Sequence, residues 1–312
     1  MFRSLRLLAA LASFSFLAAC GGSDDDPSPR FANVVQTAQG DPRFSILVEA
    51  VVAADLADTL SGTGPFTVFA PTDDAFAALL TELGVTKAQL LADTALLTQV
   101  LSYHVLPQRV VAANVPIGTA ITTVQGGIFK VDQVGSDLVI TDGRNRTATI
   151  TQTNVPATNG VIHVVDKVIL PADKNIVETA IATPDFSILV EAVVAAGLVD
   201  ALSAPGPLTV FAPTNAAFAD LLAELGITKD ALLADTALLT DVLTYHVVPG
   251  RVLKADVPVG APITTLQGET FTVGATLAIT DQQARSSNIT ATDILTSNGV
   301  IHVIDKVILP AP

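Results

Sequence analysis

The chain carries four histidines, His104, His163, His246 and His302, and they form two matched pairs. His104 follows a tyrosine in Tyr103-His104-Val105, as His246 does in Tyr245-His246-Val247. His163 lies in NGVIHVVDKVILP (159–171) and His302 in NGVIHVIDKVILP (298–310). An imidazole can hold zinc or move a proton near neutral pH. Zinc sites gather their ligands from short spacings such as His-x-x-x-His or Cys-x-x-Cys. Here the two histidines of a copy stand 59 positions apart in the first and 56 in the second, and no His-x-x-x-His occurs. The one carboxylate close to His163 in sequence is Asp166, and the single cysteine, Cys20, lies far upstream. A general base needs a nucleophile or a substrate pocket beside it. The chain has no Gly-x-Ser-x-Gly elbow, P-loop or dinucleotide glycine pattern. No metal, cofactor or catalytic residue is assigned.

The elements around these histidines suggest a structural use. In a strand, His163 shares a face with Val161, Val165 and Ile169, while Ile162, Val164 and Val168 line the other. Both faces are apolar, as in a central strand covered on both sides. A neutral imidazole there can donate from one nitrogen and accept at the other, which satisfies buried backbone groups. His163 and His302 are therefore assigned as structural core histidines. The Tyr-His pairs follow helical segments ending near Leu101 and Leu243 and precede breaks at Pro107 and Pro249. They suit a capped chain reversal, with the tyrosine body buried and its hydroxyl bonded.

Two copies of one unit account for this symmetry. FSILVEAVVAA at 44–54 recurs at 186–196, TVFAPT at 67–72 recurs at 209–214, and LLADTALLT at 90–98 recurs at 232–240. The offset is 142 up to Val131 and 139 beyond it, because DQVGSDL is shortened to GATL. A period this long marks tandem globular domains, since solenoid repeats run ~20–50 residues. Within a copy the first half reads helical. Phe44, Leu47, Val48 and Val51 mark one buried face, Pro42 fits a first turn, and Thr72, Thr86 and Asp93 are candidate N-caps. The second half reads as strands over 121–124, 128–134, 138–141, 149–155 and 161–169, after a first short strand at 66–69. Gly126-Gly127 and Asn159-Gly160 supply turns. DGRNR at 142–146, matched by DQQAR in the second copy, reads as a solvated hairpin tip. Asn145-Arg-Thr and Asn288-Ile-Thr match the N-glycosylation pattern, a short and weak signal.

The N-terminus reads as a targeting segment. Arg3 and Arg6 precede an apolar run from Leu7 to Ala18, too short for a resident membrane helix. Leu17-Ala18-Ala19-Cys20 resembles a bacterial lipobox, so residues 1–19 are expected to be a signal peptide and Cys20 the lipid attachment site. Ordinary cleavage near Ala19 is the alternative. Gly21 resembles the residue that follows the cysteine in lipoproteins sorted to an outer membrane. Residues 20–30, with GGSDDDPSPR, read as a lipidated tether. Domains are expected at 31–171 and 172–312. Half the chain is hydrophobic and 15% is charged, enough for two cores. A net charge of −14 argues against nucleic acid as a partner.

TVFAPTDDAF, the Tyr-His pair and NGVIHVVDKVILP stand in an order and spacing that resemble the fasciclin domain. Both copies carry all three blocks, so the resemblance spans about Phe31 to Pro310. It implies an α+β fold of two tandem fasciclin-like domains, each a β-wedge or sandwich with a helical layer. Where fasciclin domains commonly show Asn-Asp-Ala, the copies read Asp73-Asp74-Ala75 and Asn215-Ala216-Ala217. In animal members the corresponding tyrosine–histidine motif is associated with integrin-type cell binding. That makes Tyr103, His104, Tyr245 and His246 candidate partner-binding residues here, beside their structural reading. The implied function is a non-enzymatic adhesion or extracellular-interaction lipoprotein of the cell envelope, meeting a protein or glycan surface. Carriage of a lipophilic pigment or lipid, in a greasy cleft between helices and sheet, is the alternative.

Overall fold

Capping side chains and apolar spacing set where the helices begin and end. The computed structural model describes residues 32–312, so the expected signal peptide, Cys20 and the tether lie outside the described residues. Helix α1 (Val34–Gln39) opens on a capping box between Asn33 and Gln36. After a 3₁₀ turn over Pro42–Phe44, α2 (Ser45–Ala53) buries Leu47, Ala50 and Val51. Then come α3 (Ala57–Ser61), β1 (Phe66–Pro71) and α4 (Asp73–Leu83). Thr72 caps α4 by accepting from the Ala75 amide, Asp73 and Asp74 face the positive end of its dipole, and Gly84 ends it at φ 66°. Thr86 caps α5 (Lys87–Ala92) and Asp93 caps α6 (Thr94–Tyr103). The strands that follow are β2 (Val105–Leu106), β3 (Ile121–Thr122), β4 (Ile128–Val134), β5 (Asp137–Thr141), β6 (Thr147–Ala157) and β7 (Gly160–Val165).

The second copy repeats this order. Its helices are α7 (Ile176–Ile181), α8 (Ser187–Ala195), α9 (Val199–Ser203), α10 (Asn215–Leu225), α11 (Lys229–Ala234) and α12 (Thr236–Tyr245). Its strands are β8 (Leu208–Pro213), β9 (Val247–Pro249), β10 (Pro262–Thr264), β11 (Thr270–Val273), β12 (Ala278–Thr280), β13 (Ser286–Thr296) and β14 (Gly299–Ile304).

Each copy holds one seven-stranded sheet, ordered β2-β1-β7-β6-β5-β4-β3 in the first and β9-β8-β14-β13-β12-β11-β10 in the second. The β1–β7 and β8–β14 pairs are parallel, and the other neighbours are antiparallel. Each sheet forms a nearly closed wedge with helices. β1 and β7 are covered on both faces. Val68, Ala70, Ile162 and Val164 join the helical core, whereas Phe69 and Val165 join a second core inside the wedge with Tyr103, Phe129 and Ile140. This accounts for the near-continuous apolar run of β7.

The two copies belong to one compact unit and are docked. Ile128 of the first shares a small apolar cluster with Leu253, Leu295 and Val300 of the second. The Asn145 amide bonds the Leu295 backbone twice, donating to its carbonyl at 3.0 Å and accepting from its N–H at 2.7 Å. Lys130 Nζ reaches Asp293 Oδ2 at 2.9 Å, where the carboxylate is buried. A Cβ added to Gly118, at φ 75°, would stand 3.3 Å from the Ala255 methyl, so a larger residue would crowd the docked surfaces.

Candidate functional site

Every histidine is bound through both ring nitrogens to backbone. Phe69 and His163 are opposite one another in the β1–β7 register, with ring centroids 5.4 Å apart. His163 Nε2 lies 2.9 Å from the Val110 carbonyl, and Nδ1 accepts from the Asn154 amide at 3.3 Å. The proton therefore sits on Nε2. The second contact exists because β6 shifts register between Gln152 and Val155, with Asn154 at φ 61°. His302 repeats the pattern with Val252 and Asp293. Burial lowers the pKa of both rings, which keeps them neutral.

His104 and His246 use the opposite tautomer. His104 Nδ1 faces the Val100 carbonyl at 2.7 Å, and Nε2 accepts from the Ile169 amide at 3.0 Å. His246 does the same with Val242 and Ile308. Each thus closes the end of a helix and pins the segment after the last strand. Burial pulls both down to about 4.

Tyr103 and Tyr245 are fully buried, and His104 and His246 are 2% exposed. Tyr103 Oη donates to the Ile128 carbonyl at 2.5 Å and accepts from the Gly143 amide at 2.8 Å. Its ring meets Phe129 edge-on at 6.0 Å. Tyr245 Oη bonds the Thr270 carbonyl at 2.9 Å. Burial raises the pKa of both phenols. This corrects the expectation that Tyr103, His104, Tyr245 and His246 touch a partner directly. None of the four offers surface; Pro107, Gln108 and Arg109 are the exposed residues just beyond the first pair.

The 142–146 segment also departs from a solvated tip. Asp142 is 1% exposed and accepts from the Leu170, Arg144 and Arg146 amides, each at 2.9 Å. Arg146 spans from Asp142 to Glu82, with Nε–Oδ2 at 3.1 Å and Nη1–Oε2 at 2.7 Å. Asp281, Arg285 and Glu224 occupy the matching positions, with Arg285 on Glu224 at 2.7 Å. The sequence marked this role weakly, through an aspartate and an arginine four apart in both copies.

The described residues contain no group of three His, Cys, Asp or Glu placed to hold a metal ion. None of their helices is long and apolar enough to cross a membrane. The cleft expected between helices and sheet is present in both copies. It measures about 30 Å³ in the first, beside Val34, Leu47 and His104, and about 120 Å³ in the second, beside Ile176, Leu189 and His246. Sites for drug-sized molecules occupy ~300–1,000 Å³. Both clefts fall below that range.

The chain matches the fasciclin domain model twice, over residues 42–171 and 184–310. It is 31% identical over 256 residues to transforming growth factor-beta-induced protein ig-h3 of Sus scrofa, covering 80% of this chain and 35% of that one. Protein sll1483 of Synechocystis is 46% identical over 142 residues, 44% of this chain and 73% of its own. Periostin of Homo sapiens is 29% identical over 268 residues, 84% of this chain and 29% of its own. The chain thus spans about a third of the length of the first curated relatives it matches. Among solved structures, a FAS1 domain pair from the insect cell adhesion molecule Fasciclin I aligns over 89% of this chain and 97% of that chain. The TM-score is 0.41 and the identity 19%. The repeated blocks and both model matches give one conclusion: this chain belongs to the fasciclin domain family and carries the domain twice in tandem.

Proposed function

We propose that this chain is a non-enzymatic adhesion or extracellular-interaction lipoprotein of the cell envelope. Cys20 anchors it to a membrane, residues 21–30 hold it off the surface, and the domains at 31–171 and 172–312 meet a protein or glycan. The association of fasciclin domains with cell adhesion and extracellular interaction supports this reading. One observation carries it further: all four histidines, the residues best suited to catalysis, are tied to backbone inside the two cores. What remains outside is loop surface on a rigid frame, the arrangement of a recognition module. The acidic charge favours partners other than nucleic acid.

The test compares cells making the full chain, cells lacking it, and cells making Cys20→Ser. Attachment to matrix protein or glycan coats should fall in the last two, and fatty-acid label should be lost from Cys20→Ser. Attachment equal in all three refutes adhesion, and equal label refutes the anchor.

A further inference from the structure

A polar cleft of about 380 Å³ opens where the two domains dock. Gln125 and Gly127 of the first domain, Pro171 of the connection, and Arg251, Thr296 and Ser297 of the second line it. Arg251 and Thr296 set it apart from ordinary junction surface. Thr296 is 3% exposed, and its hydroxyl has no hydrogen-bond partner among the described residues. Arg251 is half-buried, its Nε is buried without an acceptor, and it forms no ion pair among the described residues. Burial without an anion lowers its pKa, so its environment destabilises the charge it holds. The arginines at 43, 144, 146 and 285 all pair with carboxylates. Acidic residues outnumber basic ones by 30 to 16. A guanidinium whose Nε is buried and unpaired in so acidic a chain is a cost that packing alone does not explain.

Comparison of the two copies sharpens the point. The equivalent of Arg251 is Arg109, which is exposed, and the equivalent of Thr296 is Ala157, which has no hydroxyl to satisfy. The second copy therefore adds a buried hydroxyl and desolvates an arginine at the one place where the domains meet. Arginine's planar fork matches a carboxylate in two-point contact. A single cation suits a monoanion, whereas a phosphate dianion would carry a second charge with no cation to meet it. The hydroxyls of Thr296 and Ser297 and the amide of Gln125 can bond further oxygens. The volume lies near the lower end of small-molecule sites, ~300–1,000 Å³.

We propose that this interdomain cleft binds the carboxylate of a small hydroxylated molecule, a sugar acid in chemical class, with Arg251 clamping the carboxylate and Thr296 bonding beside it. The site stands whether or not the chain mediates adhesion.

Glucuronate, glucose and inorganic phosphate should be titrated into residues 21–312 by calorimetry and by amide shifts. Saturable glucuronate binding is expected, with shifts at Gln125–Ile128 and Thr296–Ser297. Glucose and phosphate should bind at least tenfold more weakly. Arg251→Gln should weaken glucuronate at least tenfold and Thr296→Ala severalfold, with circular dichroism confirming the fold. If Arg251→Gln does not fold, Arg251→Lys keeps the charge without the fork and should still lose affinity. The proposal is overturned by absence of saturation at about 10 mM glucuronate, which excludes even millimolar affinity. It is equally overturned by wild-type shifts confined to other residues, by glucose or phosphate binding as tightly, or by undiminished affinity in folded Arg251 variants.

Discussion

Replacing Asp293 by asparagine tests whether the two domains are energetically joined. Asparagine is what the first copy has at the equivalent position, Asn154, with the same backbone, φ 61° against 60° for Asp293. The local job carries over: Asn154 Oδ1 accepts from the Ala112 amide at 2.9 Å, as Asp293 Oδ1 does from Lys254 at 2.8 Å. What asparagine cannot supply is the charge facing Lys130, whose side chain is 13% exposed against 3% for Asp293. Removing one partner of a buried pair costs ~3–5 kcal/mol when the other charge is stranded. Lys130 keeps Asp132 at 3.1 Å, a half-exposed partner, so the loss should be near that of one charged hydrogen bond, about 2 kcal/mol. Lys130→Thr introduces the residue of the second copy, Thr272, and strands Asp293 instead. The double variant removes both charges and should be more stable than the sum of the single losses implies, with a coupling of at least about 1 kcal/mol. Urea unfolding followed by far-ultraviolet circular dichroism measures it, with amide signals from each domain checking that both unfold together. A coupling below about 0.5 kcal/mol, the usual scatter for independent sites, would refute the docked arrangement.

Three further outcomes are expected. A histidine held at about 4 in the fold and near 6.5 when unfolded binds fewer protons folded, so its contribution is complete above pH 6.5 and is lost as pH falls toward 4. The chain should therefore lose stability across that window, and a His104→Gln/His246→Gln variant should show a shallower slope by urea titration; an unchanged slope would discredit the assignment. Tyr103→Phe takes the hydroxyl donor from the Ile128 carbonyl, while the Gly143 amide keeps its second acceptor, the Leu170 carbonyl at 3.0 Å, and it should cost about 1–2 kcal/mol. Tyr245→Phe should cost less, because Gln282 Nε2 also donates to the Thr270 carbonyl; equal losses in unfolding would contradict this. Asn145→Ala, which installs the residue of the second copy, should cost about 1–2 kcal/mol through its two lost bonds to Leu295. The same change should loosen the junction in small-angle scattering, and an unaltered profile would count against it.

Much of the architecture was legible because its causes are local. Thr72, Thr86 and Asp93 cap helices through their own side chains, and the caps are where the sequence placed them. β4 covers 128–134 as its alternation implies, and β7 is buried on both faces as its apolar run implies. The misses have physical reasons. α1 is six residues long, too short for helical periodicity to emerge, and it is held at its start by the Asn33–Gln36 capping box. The strand predicted to reach Ile169 stops at Val165, and Ile169 is buried beyond it with its amide on His104. The 142–146 segment misled because charge was taken as solvation, whereas Asp142 organises a turn by accepting from three backbone amides. The Tyr-His pair carried two readings, a buried and bonded chain reversal and a partner contact, because an apolar ring with a polar tip suits either; here both rings point inward.

The junction was not legible in either copy alone, but the differences between the copies mark it. Both share the buried framework: Phe69 and Phe211, Tyr103 and Tyr245, and the four histidines have matching partners. They part at Lys130 against Thr272, Asn145 against Ala284, Asn154 against Asp293, Pro156 against Leu295, and Ala157 against Thr296. At every one of these positions, one of the two residues lies on the contact between the domains or in the cleft beside it. Duplication by itself produces two identical surfaces, and identical surfaces have no reason to dock through unlike patches. Complementary changes on opposite sides, a cation on one and a carboxylate on the other, favour one docked arrangement over the alternatives. A fixed junction also sets the spacing of the outer loops and buries the Nε of Arg251, so the substitutions that join the domains also shape a polar cleft lined from both of them.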